Sequence, residues 1–213
     1  MPDPTDLFLK LMLVIGGGIA IAAFIRRRRD SFHVARRGRA QVSVKSLRAT
    51  RDGEWAHVVG VAVGRETLTS PLTGRPCLGY RYVIEAYEED GSVEVRAEDC
   101  VSFSLATDGI EAAVEGPFVF GCSLATVDRE ARSGLRDILR REGKAAWADR
   151  RDDRLSVREA LLSANDQVAV VGQVSLEVHP QGERDSFRDP PTRRIVRGTS
   201  ERPVLLADAF TPL

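Results

Sequence analysis

The stretch "NDQVAVVGQVSLEV", residues 165–178, decides the fold. Val168, Val170, Gly172, Val174, Leu176 and Val178 occupy every second position, so they share one face of an extended strand. Asn165-Asp166 supplies the turn that precedes it. An echo stands upstream: "VVGVAV" (58–63) within "WAHVVGVAV" (55–63) repeats the glycine inside a valine-rich strand. Such a glycine marks a sharp bend at a barrel corner. The pair predicts either one barrel with helices inserted or two small barrel-like lobes.

Alternation continues on both sides. "AQVSVKSL" (40–47) reads as a strand, separated from "WAHVVGVAV" by the turn residues Arg51-Asp52-Gly53. Residues 77–87 form another, with Leu78, Tyr80, Tyr82 and Ile84 on one face and Cys77, Gly79, Arg81, Val83 and Glu85 on the other. "EEDGS" (88–92) is a hairpin turn with Asp-Gly at its centre. "SVEVRAEDCVSFSLAT", "GPFVFGCSLAT" and "RPVLLADA" supply further strands. Helical spacing enters at "SGLRDILRREGKAAW", where Leu135, Ile138 and Leu139 fall at i, i+3 and i+4 behind Ser133 as N-cap. "SVREALLS" (156–163) reads as a second short helix. "HPQGERDSFRDPPTRR" is a loop, because Pro190-Pro191 cannot lie in a central strand. The expected class is mainly β with inserted helices (α+β), an antiparallel OB-like barrel or barrels, or a sandwich. It divides into a tail (1–6), an apolar helix (7–25), a basic linker (26–39) and a β-rich domain (40–213) with a helical insertion near 133–163.

The apolar helix sets the expected address. Residues 7–25, "LFLKLMLVIGGGIAIAAFI", are apolar except for Lys10, which lies near one end and can snorkel to the headgroups. At about 1.5 Å of rise per residue the segment covers the hydrocarbon core of a bilayer. Asp3 and Asp6 precede it, and Arg26, Arg27, Arg28 and Arg29 follow directly. A secretory signal carries its positive charge first and a small-residue cleavage site last, which is the reverse order. The positive-inside rule then predicts an uncleaved single-pass anchor in a bacterial inner membrane, N-terminus out and domain in the cytoplasm. The four arginines are candidates for holding anionic lipid headgroups. Gly16 and Ala20 have the small-xxx-small spacing of pairing helices, so a helix-mediated dimer is a further expectation.

Charge is balanced over the 213 residues, but residues 26–39 carry seven arginines against one aspartate and leave the rest mildly acidic. An acidic body with few interleaved aromatics argues against nucleic acid. Cys77, Cys100 and Cys122 are the only cysteines, an odd number without close pairs, which fits a reducing compartment and excludes a zinc ribbon. No metal and no cofactor is expected.

Candidate chemistry is thin. Cys77, in "SPLTGRPC" (70–77), could serve as a nucleophile, but a thiol near pKa 8.5 needs a base or positive field to ionise. Arg75 is near it in sequence, whereas His33, His57 and His179 are isolated. Ser70, Pro71, Leu72, Thr73, Gly74 and Arg75 read instead as a shaped turn: Pro71 early, Gly74 with positive φ, Pro76 extending Arg75 before the strand. Glu66 and Arg75 could pair across that turn. Asp108-Gly109 is a turn signal, and Asp152 and Asp153 belong to a solvated charge cluster. Trp55, Tyr80, Tyr82 and Trp147 fall on core faces.

Four stretches in order, "ETLTSPLTGRPCLGYRYVIE", "VSFSLATDGIEAAVEGPFVF", "SVREALLSANDQVAVVGQV" and "SFRDPPTRRIVRGTSERPVLLAD", span residues 66–208 beside an apolar helix. In this the chain resembles the GIDE or BAM ("beside a membrane") domain of Mulan/MAPL-type mitochondrial ubiquitin ligases and bacterial membrane proteins. Those ligases carry a zinc-binding RING after the domain; the cysteines and histidines for one are missing here, so RING-dependent ligase activity is not implied. The resemblance implies a membrane-anchored, non-catalytic protein-interaction or scaffold module, with the 70–75 loop as partner surface. The alternatives are a thiol-dependent enzyme centred on Cys77 and a small-ligand or lipid sensor with a pocket inside the barrel.

Overall fold

Strand β11 (Gln167–Val178) is the longest element among the described residues: Val168, Val170 and Val174 lie in the core as the alternation predicts, Ala169 and Val171 on the other face are buried too, and Leu176 and Val178 emerge at its exposed end. The computed structural model describes residues 45–88, 91–149, 154–178 and 192–209. The segment at 7–25, Gly16 and Ala20, Arg26 to Arg29, and the loop at 179–191 lie outside the described residues. Among the described residues no helix is long and apolar enough to cross a membrane.

The described chain is mainly strand. In order these are β1 (Trp55–Val63), β2 (Leu68–Thr69), β3 (Pro76–Cys77), β4 (Gly79–Glu88), β5 (Gly91–Cys100), β6 (Phe103–Thr107) and β7 (Ile110–Glu115). Then follow β8 (Phe118–Phe120), β9 (Ala125–Thr126), β10 (Ser156–Leu162), β11, β12 (Thr192–Arg197) and β13 (Val204–Asp208). Two short helices, α1 (Leu135–Arg141) and α2 (Ala145–Ala148), lie between β9 and β10.

Five strands close a barrel in the order β1-β6-β7-β12-β11, with β11 pairing back onto β1 from Trp55↔Gln173 to Val61↔Gln167. The two glycine-bearing strands are therefore neighbours in one barrel, not centres of two lobes. Closure brings walls close together. A Cβ on Gly60 would stand 2.6 Å from the Ala106 carbonyl oxygen, and one on Gly172 would stand 2.6 Å from Val196 Cγ1. Only glycine fits such approaches. Val58, Ala62, Leu105, Val114, Val170, Val174 and Val196 fill the interior, as expected for a five-stranded barrel.

Three expectations are corrected. The sheet is not purely antiparallel: β7 pairs with β12, and β8 with β13, in parallel. Those pairs join segments far apart in sequence, which a reading of adjacent hairpins does not anticipate. "SVREALLS" is not a helix but β10, inserted between β4 and β9. Of "AQVSVKSL", the described end is not strand: Leu47–Ala49 is a 3-10 turn capped by Ser46, with Leu47 plugging the barrel.

A second layer is built from two excursions, one between β1 and β6 that supplies β4 and β5, and one between β8 and β11 that supplies β9, both helices and β10. Strands β5-β4-β10-β9 form a four-stranded sheet, one face of which packs under α1 and α2. Tyr82, Ile84, Val93, Val95 and Val157 meet Leu135, Ile138, Leu139 and Leu72 there. The N-cap of α1 is Gly134 rather than Ser133, without a side-chain cap. Leu78, read as sharing a face with Tyr80 and Tyr82, joins the barrel core instead, because the chain bends between β3 and β4.

Candidate functional site

The segment from Ser70 to Cys77 connects β2 to β3 and turns back on itself. Ser70 N donates to Arg75 O at 2.9 Å, Gly74 N donates to Ser70 O at 2.9 Å, and Gly74 has φ +69°. Ser70 Oγ accepts from the amides of Leu72 and Thr73, each at 3.2 Å, closing the turn from inside. The local geometry is thus the one that Pro71, Gly74 and Pro76 dictate.

What the local sequence does not reveal is an anchor beneath the loop. Glu159, on β10, is 6 % exposed and accepts hydrogen bonds from Ser70 Oγ and, at 2.9 Å, from Thr73 Oγ1. A buried carboxylate is tolerated only when its lone pairs are engaged, and these two hydroxyls do that. A second clasp comes from α1: Gly134 N donates to Leu72 O at 3.0 Å, and a Cβ at Gly134 would fall 1.7 Å from the Pro71 carbonyl oxygen. Leu72 itself is fully buried in the core under the helices. Of the six residues expected to present a partner surface, Ser70 and Leu72 therefore point inward. Pro71 and Thr73 are half-buried, and Gly74, Arg75 and the following Pro76 form the exposed crest.

Cys77 has no exposed surface. Burial pushes its thiol above the ordinary range, and the nearby carboxylates of Glu159 and Glu66 push further the same way. Arg75 supplies no opposing field strong enough to reverse this, and Glu66 does not turn to Arg75: its Oε1 accepts from Ala164 N at 2.8 Å. A nucleophilic cysteine needs the opposite environment. Cys100, which stands opposite Gly79 in the β4–β5 ladder, is pushed up to about 12, chiefly by burial and then by Asp99.

A cleft of about 330 Å³ opens where β5 meets β8, lined by Glu98, Asp99, Cys100, Ser102, Phe118 and the Gly116–Pro117 turn among others. Both of its carboxylates already serve the backbone: Glu98 Oε2 accepts from Phe120 N at 3.3 Å and Asp99 Oδ1 from Cys100 N at 2.8 Å. Burial pushes the Glu98 carboxyl above its usual range and keeps the Cys100 thiol protonated. The barrel interior is lined by packed apolar side chains, among them Val58, Leu105, Val114, Val170 and Val196. Among the described residues no three His, Cys, Asp or Glu side chains are grouped to hold a metal ion.

The aromatic residues distribute as core or rim. Tyr82 is buried and stacks on Tyr80 at 6.1 Å, Trp147 packs against the helix-covered core, and Arg202 lies 5.6 Å over the ring of Trp55. Asp108, at φ 52°, occupies the β6–β7 turn with Gly109. Sequence reasoning missed Glu159, the residue on which the loop rests; its one signal was the charged pair Arg158-Glu159 between Val157 and the apolar run Ala160–Leu162. In comparison with known proteins, no family model, no curated protein and no solved structure matches this chain.

Proposed function

We propose that this chain is a membrane-anchored, non-catalytic protein-interaction or scaffold module of the GIDE ("beside a membrane") type, without RING-dependent ligase activity. The observation that carries the reading is the clamped loop. Ser70 and Thr73 are tied to buried Glu159, Leu72 is buried, and only Gly74, Arg75 and Pro76 crest outward. A loop ordered before contact loses little entropy on binding, which suits a recognition surface carried on a rigid scaffold. The thiol-dependent alternative centred on Cys77 is disfavoured by burial and by its raised pKa. The sensor alternative is disfavoured by the filled barrel.

We read the barrel as OB-like, since five strands close in a Greek-key order, with the strands of the second sheet inserted after the first and third barrel strands. The outward residues of β6 and β7 are Ser104, Ala106, Glu111, Ala113 and Glu115, which are small or acidic. They offer neither the positive groove nor the stacking aromatics that single-stranded nucleic acid requires, which favours a protein partner. In this reading residues 7–25 hold the domain beside the bacterial inner membrane, N-terminus out and domain in the cytoplasm, with Arg26, Arg27, Arg28 and Arg29 on anionic headgroups. Affinity capture from detergent extracts, comparing the natural chain with an Arg75→Glu, Pro76→Ala variant, tests it. Loss of the captured protein set is expected; the same set retained by both would overturn the assignment of this loop.

A further inference from the structure

We infer that the outer edge of β5 is a docking site for a second copy of this chain, joining two four-stranded sheets into one eight-stranded sheet. The inference is independent of the membrane and loop readings, because it rests on the opposite edge of the second sheet. β9 and β10 stand at one side of β4, β5 at the other, and among the described residues no strand pairs with the far side of β5.

Which backbone groups face that side follows from the ladder. Val127 N donates to Val157 O, so the odd-numbered residues of β10 turn toward β9 and the even-numbered ones toward β4. Arg158↔Val83 and Ala160↔Arg81 then direct the odd-numbered residues of β4 to β10 and its even-numbered residues to β5. Ile84↔Val95 and Tyr82↔Ala97 complete the chain: Val93, Val95 and Ala97 bond to β4. The N–H and C=O groups of Ser92, Glu94 and Arg96 therefore point away from the sheet. Such a row is a template for an added strand.

The side chains choose the partner. On the solvent side of β5 the order is Ser92, Glu94, Arg96, Glu98; within one copy Arg96 already bridges Glu94 and Glu85, and Glu94 and Arg96 stay about one-third to two-fifths exposed, open to a further partner across the edge. Antiparallel pairing of two copies about Val95 sets each Glu94 opposite the second copy's Arg96, with Ser92 opposite Glu98 at the ends. A shift by one pair in either direction sets Glu94 against Glu94 or Arg96 against Arg96. Opposed like charges on a sheet are unfavourable and opposed unlike charges favourable, so the pattern selects one register. It is a two-fold, self-complementary arrangement, the geometry of closed dimers. Below, Val95 meets Val95 and Val93 meets Ala97, extending the apolar side that α1 and α2 cover.

The test uses the full chain in detergent, with sedimentation to measure mass and two-colour energy transfer to measure subunit pairing. The natural chain is expected to self-associate. Glu94→Arg places Arg against Arg, and Arg96→Glu places Glu against Glu; each alone should weaken self-association about tenfold or more. Mixing these two variants restores both unlike pairs and should produce a one-to-one heterodimer. The double exchange, Glu94→Arg with Arg96→Glu, should restore the homodimer. Because restoration needs folded partners, it separates repulsion from misfolding. Absence of self-association in the natural chain, single variants that pair as well as it does, or failure of the mixture to pair would each overturn the proposal.

Discussion

The carboxylate of Glu159 and the hydroxyl of Ser70, 89 residues apart in sequence, meet in a buried hydrogen bond that fixes the β2–β3 loop to the middle of β10. Thr73 adds a second bond to the same carboxylate. The loop's outward face therefore rests on an inward polar contact, and the crest at Gly74–Pro76 has the shape it has because of what lies beneath.

Removing that contact is costly. Ser70→Ala takes one donor from a buried carboxylate and leaves the amides of Leu72 and Thr73 without their acceptor. Hydrogen bonds to charged groups contribute about 1.5–3 kcal/mol, so a loss in that range is expected in urea unfolding. Limited proteolysis within residues 70–76 by a protease of broad specificity should quicken in step. Thr73→Ala, at a half-buried position, should cost less in the same assays.

Gly134→Ala tests the second clasp. The added methyl would meet the Pro71 carbonyl oxygen far inside contact distance, so either α1 or the loop must shift. Overpacking of this kind costs about 1–3 kcal/mol or more. Thermal melting and loop proteolysis should both report it, because the same glycine joins helix and loop.

Much of this architecture was legible, and the reasons for the remainder are specific. The strands β1, β4 and β11 declare themselves by alternating or valine-rich runs bounded by turn residues, although both faces are buried where they cross the core, as at Ala56–Val58, Tyr82–Ile84 and Val168–Val171. β10 does not, since both of its neighbours are strands and Ala160, Leu161 and Leu162 run consecutively apolar, a pattern equally at home in a helix. Its charged Glu159 carries no local sign of burial, since the hydroxyls of Ser70 and Thr73 that engage it are distant in sequence. The turn at 70–76 was readable from Pro71, Gly74 and Pro76; the inward direction of Ser70 and Leu72 was not, because it depends on α1 and β10. The parallel β7–β12 and β8–β13 pairs were hidden for the same reason, being long-range.

The thiols give a chemical prediction. Folding favours the protonated form of Cys77, whose pKa is raised by burial and then by Glu159 and Glu66. Its contribution to stability is full below the ordinary thiol range and is lost as pH rises from there toward the raised folded value. In the native protein Cys77 should react with iodoacetamide no faster than Cys100 or Cys122, and mass spectrometry of labelled peptides checks this. Denaturation should expose all three alike.

Acid acts on the barrel in the opposite sense. Arg197 on β12 reaches Glu177 on β11 and, at 2.8 Å, Glu115 on β7, tying three barrel strands together. The side-chain hydrogen bond from Arg197 holds the Glu177 carboxyl below its usual range, with Arg193 assisting. This contribution is present above the ordinary carboxylate pKa and is lost as pH falls through the lowered one. Arg197→Met should flatten the acid limb of a stability-against-pH curve, and salt should reduce the difference between the two proteins.

The central claim is that the clamped loop, and not a thiol, is where this protein meets its partner. A photo-crosslinking residue placed at Arg75 in the full chain in native membranes tests it most directly, with the same residue at Asp108 on the β6–β7 turn as the comparison. The account predicts a discrete crosslinked protein at position 75 that is absent at position 108 and lost when Ser70→Ala loosens the loop. Equal crosslinking at the two positions, or none at position 75, would contradict it.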